Sequence, residues 1–286
     1  MSHCKKLAHS ALMSGILIVA SVAIAQPAHP TTPAPSRWHL VWSDEFNSPT
    51  SSTPDPAKWT LVEGGSGYGN QELESYTTRP SNIRVEGGNL VVTAIKEPYT
   101  GKDGIARNYT SGRMQSLTHF DFQYGRIEAR IKIPVGQGIW PAFWMLGANI
   151  DSTPWPDCGE IDIMENVGHE LSKVHSTIHG PLYSGGDALT GAYTLSGGQH
   201  FTDDFHVFAA EWEPDLIRFY VDGHLFETLT ADNIPAYKHW AFNHNFFVLF
   251  NLAVGGNWPG PPNDATQFPQ QMLVDWVRVY KPGKAK

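Results

Sequence analysis

Polar and apolar residues alternate with period two along residues 126–133 and again along 276–280, the pattern of a strand with one face in a core and one toward water. Two hairpins are placed by their turns. Gly87-Gly88 separates the runs Ile83–Glu86 and 89–95, and Asp222-Gly223 separates Leu216–Val221 from 224–229. Further strand-like runs cover 205–212 and Phe246–Val254. No segment longer than about ten residues carries a clean helical period. Many strands at short spacing, with Gly- and Pro-rich joints, predict an all-β sandwich or jelly roll. From Trp38 onward there is no composition break or repeat, so one domain is expected.

The exception is the N-terminus. Lys5 and Lys6 precede an apolar stretch over 7–25 that ends in Ala23-Ile24-Ala25, which reads as a secretory signal over 1–25 cleaved before Gln26. His9, Ser10 and Ser14 interrupt the run and leave its purely apolar part short of the roughly 20 residues of a spanning helix. Residues 26–36 read as a Pro/Thr-rich linker, and 37–283 as the folded domain. Of 20 basic and 28 acidic side chains, cleavage removes only Lys5 and Lys6, so the formal charge moves from −8 to −10. Such acidity argues against nucleic acid as a partner. Cys4 leaves with the signal and Cys158 stays alone, so no internal disulfide forms. The expectation is a soluble monomer, secreted or periplasmic, with no membrane association after cleavage.

The most informative stretch is Gly159-Glu160-Ile161-Asp162-Ile163-Met164-Glu165. On a strand Glu160 and Asp162 share one face while Ile161 and Ile163 take the other. Glu165 falls out of phase, and a one-residue β-bulge would return it to the acidic face, with Met164 the expected extra residue. Three carboxylates on one face repel one another and call for a functional reason. Glycoside hydrolysis uses such a set: one carboxylate attacks or activates water, and a second, its pKa raised, protonates the leaving oxygen. Glu160 and Glu165 are roughly 13 Å apart along a strand, and side-chain lean could close that to the retaining or the inverting separation. A solvated acidic edge and a calcium site are the plainer readings of an acidic trio. Just upstream, Trp140 and Trp144 share a strand face, as sugar-stacking platforms would.

Gly138-Ile139-Trp140-Pro141-Ala142-Phe143-Trp144 followed by Gly159-Glu160-Ile161-Asp162-Ile163-Met164-Glu165 resembles the signature of glycoside hydrolase family 16, in its laminarinase-like branch. Supporting segments include Gly69-Asn70-Gln71-Glu72-Leu73, Ser111-Gly112-Arg113, Thr177-Ile178-His179-Gly180 and Asn251-Leu252-Ala253-Val254-Gly255-Gly256. The resemblance implies a concanavalin A-like β-jelly-roll sandwich of two antiparallel sheets with a concave substrate cleft. It implies an endo-β-1,3-glucanase acting on laminarin-type or mixed β-1,3/1,4-glucans by retaining double displacement. Glu160 matches the nucleophile, Glu165 the acid/base and Asp162 the assisting residue. Trp140, Trp144, Asn70, Arg113, His179 and Trp258 match substrate-contacting positions.

The resemblance implies no catalytic cofactor, but a structural calcium held by Glu45 and Gly88 through main-chain oxygens and by Asp275. Other branches cleave agar, carrageenan or xyloglucan, and some relatives are non-catalytic glucan-binding lectins that lose the catalytic acids, all three of which are present here. Two weaker motifs are set aside. Leu195-Ser196-Gly197-Gly198-Gln199 spells a nucleotide-cassette motif, but no phosphate loop accompanies it. His175 and His179 have helical zinc spacing, yet on a strand they lie roughly 13 Å apart.

Overall fold

A computed structural model describes residues 38–48, 50–235 and 237–283. The signal and linker expected over 1–36 lie outside the described residues. The strand signals resolve into two sheets. The larger runs His224–Thr230, Leu216–Val221, His206–Glu213, Gly125–Lys132, Gln270–Pro282, Asn89–Thr100, Ala106–Ser111 and Glu74–Tyr76, with Trp38–Asp44 and Ile83–Glu86 pairing beside this path. The smaller runs Leu189–Thr194, Lys173–His179, Glu160–Glu165, Ile139–Gly147, Phe246–Val254, Arg113–Gln115 and Thr60–Leu61, with Asp121–Phe122 beside it. Pairing is antiparallel except between Glu74–Tyr76 and Ala106–Ser111. Both expected hairpins form, and Phe246–Val254 has the expected bounds.

Alternation builds the core between the sheets. Ile127, Ala129 and Ile131 enter it from the larger sheet, and Phe143, Ile161, Val248 and Phe250 from the smaller. Phe143 stacks on Phe250 with centroids 4.9 Å apart, each buried ring contributing about 1.5–3 kcal/mol. The expectation of a wet face on 126–133 needs correction at its start. Arg126 and Glu128 are buried because Glu211, Tyr220 and Tyr280 from neighbouring strands close over them.

Two glycines start the strands that matter for function. Gly138, at φ +77°, precedes Ile139–Gly147, and a Cβ there would lie 2.3 Å from the Pro262 nitrogen. Gly159, at φ +74°, precedes Glu160–Glu165, and its Cβ would meet the Ala241 carbonyl at 3.0 Å. Only glycine combines that dihedral with that clearance. Both strands therefore begin where neighbouring loops pass close to the backbone.

Candidate active site

Glu160–Glu165 is bulged. Trp144 faces Asp162 while Phe143 faces Met164, so Ile163 is left unpaired on that side. Toward the other neighbour, Asp162 pairs with Thr177 and Glu165 with His175, leaving Ile163 and Met164 together opposite Ser176. The bulge is where the acid spacing placed it, but the unpaired residue against Phe143 is Ile163 rather than Met164. Both side chains are buried in the core, and the Ser176 hydroxyl donates to the Ile163 carbonyl at 2.7 Å. The extra residue thus returns Glu165 to the face of Glu160 and Asp162 without losing an apolar contact.

Cross-strand register assembles the rest. Leu146, Glu160 and His179 form one row, Trp144, Asp162 and Thr177 the next, and Ala142, Glu165 and His175 the third. The His179 Nε2 lies 3.1 Å from Asp162 Oδ2 and 3.7 Å from Glu160 Oε1. These three groups converge closely enough to chelate an ion, the one such cluster among the described residues. The Trp140 indole donates to Glu165 at 2.9 Å. The Trp155 indole faces Glu160 and favours its anion, and its ring lies 6.0 Å from that of His179.

Burial, reinforced by the charge of Asp162, pushes Glu160 up to about 8. Burial and the charge of Glu160 push Glu165 up to about 7. Asp162 is driven well above the usual carboxylate range by burial and by Glu165. The guanidinium of Arg113 and the imidazole of His179 pull Glu160 back down. With no lysine or arginine in contact among the described residues, the cluster therefore retains a proton to higher pH than isolated carboxylates would, as acid/base chemistry requires.

The predicted sugar contacts divide into two groups. Trp140 packs edge-on against Trp258, with centroids 5.6 Å apart, and Trp258 also meets His175 at 5.0 Å and is exposed. Asn70 reaches that end through its carbonyl, which accepts the Asn257 N–H at 2.8 Å, and its side chain is on the surface. At the other group, Arg113 makes no carboxylate pair. Its guanidinium lies 4.8 Å from the Tyr68 ring and 5.0 Å from that of Trp144, and its Nε is buried without a hydrogen-bond partner. Trp144 donates to Asn251 at 2.7 Å, Asn251 to the Tyr76 hydroxyl at 3.1 Å, and Tyr76 to Glu72 at 2.8 Å. Beyond Glu72 lies the fully buried Glu74, raised well above its ordinary pKa by burial and by Glu72.

No local pattern in the sequence marks Trp155, Tyr68, Tyr76 or Asn251 as a site residue. A lone Trp between prolines has no period, and the Tyr76 chain joins strands far apart in sequence. Cys158, next to Gly159, is buried with its thiol pushed up to about 11 by burial, and so unreactive.

Comparison with known proteins gives a consistent answer. The chain is 45% identical over 257 residues to a β-glucanase of Rhodothermus marinus, covering 85% of each. It superposes with a TM-score of 0.82 on an endo-β-1,3-glucanase from Pyrococcus furiosus, at 45% identity, covering 87% of this chain and 96% of that one. The laminarinase catalytic domain from Thermotoga maritima gives 0.82 at 47% identity, covering 86% and 99%. The family model for glycosyl hydrolases family 16 matches residues 70–278, which include the bulged acidic strand and both tryptophan groups, and the chain belongs to that family.

Proposed function

We propose that the protein is an endo-acting hydrolase of β-1,3-glucans of the laminarin type, working by retaining double displacement. One observation carries the reading: a buried Asp162 between half-buried Glu160 and Glu165 on one bulged strand, uncompensated by a contacting lysine or arginine among the described residues and flanked by half-buried tryptophans. Glu160 attacks the anomeric carbon while Glu165 gives its proton to the departing glycosidic oxygen. Water, deprotonated by Glu165, then releases the sugar from Glu160. Group by group, the higher pKa falls on Glu160, the reverse of these roles. The two titrate as a pair, and the interactions of Glu160 with Arg113, His179 and Trp155 favour its anion in the one-proton state. Asp162, against His179, orients Glu160 and keeps the cluster's proton in place. Trp140 and Trp144 offer ring faces to pyranose C–H surfaces.

Laminarin incubated with the protein should yield new reducing ends in internal-cleavage products. Glucan binding by folded protein without new reducing ends would remove the enzymatic reading. Products from lichenan would extend the activity to mixed linkages, and products from agarose alone would move it to another polysaccharide.

Two finer properties belong to the same proposal. The chain is exported through residues 1–25 and acts as a monomer in the periplasm or outside the cell. A calcium ion binds at Glu45, Gly88 and Asp275. The Glu45 side chain is held by Arg278 at 3.0 and 2.7 Å, consistent with its offering only a carbonyl. Asp275 gives one oxygen to Arg130 at 2.8 Å. The remaining donors are hard oxygens, which suit calcium, and the neighbouring guanidiniums keep affinity low. Chelation should lower Tm and calcium should restore it; an unchanged Tm removes the site.

A further inference from the structure

Beside Glu165 stands a carboxylate–histidine pair that the reaction above does not use. His175 is the cross-strand partner of Glu165, so its half-buried side chain lies on the sheet face that carries the three acids. Its Nε2–H donates to Glu170 Oε2 at 2.9 Å, and the Lys173 ammonium holds the other oxygen of the same carboxylate. The turn that carries Glu170 is fixed in its own right. Asn166, the residue after Glu165, donates from its amide to the carbonyls of Glu170 and Lys173 at 3.0 and 2.7 Å. The imidazole is therefore anchored to a braced turn.

Three rings connect that anchor to Glu165. His175 meets Trp258 at 5.0 Å between centroids and 79° between planes, and Trp258 meets Trp140 at 5.6 Å and 90°. Edge-on contacts of this kind fix the tilt of each ring against the next. Trp258 is otherwise exposed, on the loop that follows Phe246–Val254, and the imidazole is a wall for its ring. Trp140 ends the series by donating its indole N–H to Glu165 Oε1 at 2.9 Å. That bond leaves Oε2 to carry the proton. A general acid must present its proton within hydrogen-bond reach of the leaving oxygen, and a small misplacement is enough to slow the reaction.

We propose that His175, anchored by Glu170, is a positioning residue for Glu165 and acts through the rings of Trp258 and Trp140. The role rests on the retaining reaction proposed above. His175 itself takes no proton in that reaction, because its Nε2–H is engaged by Glu170.

Two glycosides of one sugar separate positioning of the acid from general disturbance of the fold. Phenyl β-laminaribioside needs a proton on its leaving oxygen, whereas the 2,4-dinitrophenyl glycoside releases a weakly basic anion without one. In His175→Ala, kcat/KM on the phenyl glycoside should fall about ten- to hundredfold, and on the dinitrophenyl glycoside by less than about twofold. Glu170→Gln keeps an acceptor for the imidazole and should stay within about threefold of the wild type on both. Trp258→Ala should show the asymmetry of His175→Ala, and combining the two should lower kcat/KM little further, since they act in one chain. Equal losses on the two glycosides, or losses that multiply in the double variant, overturn the proposal. Wild-type protein inert on both glycosides and on laminarin overturns the proposed function itself, and this role with it.

Discussion

Each sheet draws a cluster of carboxylates wholly or partly out of water, and the two clusters are handled in opposite ways. On the larger sheet, Arg126 bridges Glu128 at 2.8 Å and Glu211 at 3.2 Å, while Tyr280 and Tyr220 donate to the same two acids at 3.1 and 3.0 Å. On the smaller sheet, Glu160, Asp162 and Glu165 have the Trp140 N–H, the Trp155 indole nearby and one histidine, and no arginine or lysine in contact among the described residues. A buried acid with its counter-ion is fixed and holds the fold. An acid shielded from water without one is held protonated to higher pH; at Glu160 and Glu165, which keep some exposure, that proton can be traded, whereas Glu74 is sealed in the interior. Between these two clusters the difference between structure and chemistry is therefore one of neutralisation.

The largest expected effect follows from removing a member of the second cluster. Glu160→Ala should lower kcat by about 10⁴-fold or more while glucan binding is largely retained, measured by reducing-end release and by affinity electrophoresis on laminarin. Activity kept at the wild-type level would reassign the nucleophile. The matching change in the first cluster should act on stability alone. Arg126→Ala leaves Glu128 and Glu211 buried without their cation and should cost about 3–5 kcal/mol in urea unfolding, with kcat of the remaining folded protein unchanged. A loss of kcat without loss of stability would contradict the division between the sheets.

Tyr76→Phe tests the chain that runs from Glu72 to Trp144. It strands the Asn251 amide and a Glu72 oxygen and should cost about 1–3 kcal/mol. KM should rise severalfold with kcat little changed, because Asn251, which anchors Trp144, loses the partner that fixes its amide while the acids keep theirs. The smallest effect is on the pH dependence of stability. Glu160 has its folded pKa raised to about 8 from an ordinary 4.5, so the folded state binds more protons than the unfolded state between those values, and stability falls as pH rises through them. Glu160→Gln removes that loss. Its Tm should exceed that of the wild type by a margin that widens from pH 4.5 to pH 8 and then levels off. A margin constant with pH would mean that Glu160 has the same pKa in the folded and unfolded states.

How far the chain could be read in advance depended on the range of the interactions. The period of the strands, the hairpins at Gly87-Gly88 and Asp222-Gly223, and the common face of Trp140 and Trp144 are local, and local pattern is enough for them. The bulge was readable because Glu165 stands one residue out of phase. Which residue went unpaired was not, since Ile163 and Met164 are both apolar and both reach the core. The buried face of Arg126 and Glu128 was hidden because its cover comes from Glu211, Tyr220 and Tyr280, far along the chain. Trp155 was missed for the same reason: only folding sets it against Glu160 and His179.

Retaining hydrolysis through Glu160 requires this uncompensated acid to form a bond to the sugar. Incubation with a 2-deoxy-2-fluoro-β-laminaribiosyl fluoride, followed by peptide mass mapping, tests it directly, because the fluorine slows release of the glycosyl-enzyme. One fluorinated disaccharide per protein is expected, carried on the peptide containing Glu160 and absent from Glu160→Ala. A label on Glu165, or steady turnover of the reagent with no label at all, would contradict it.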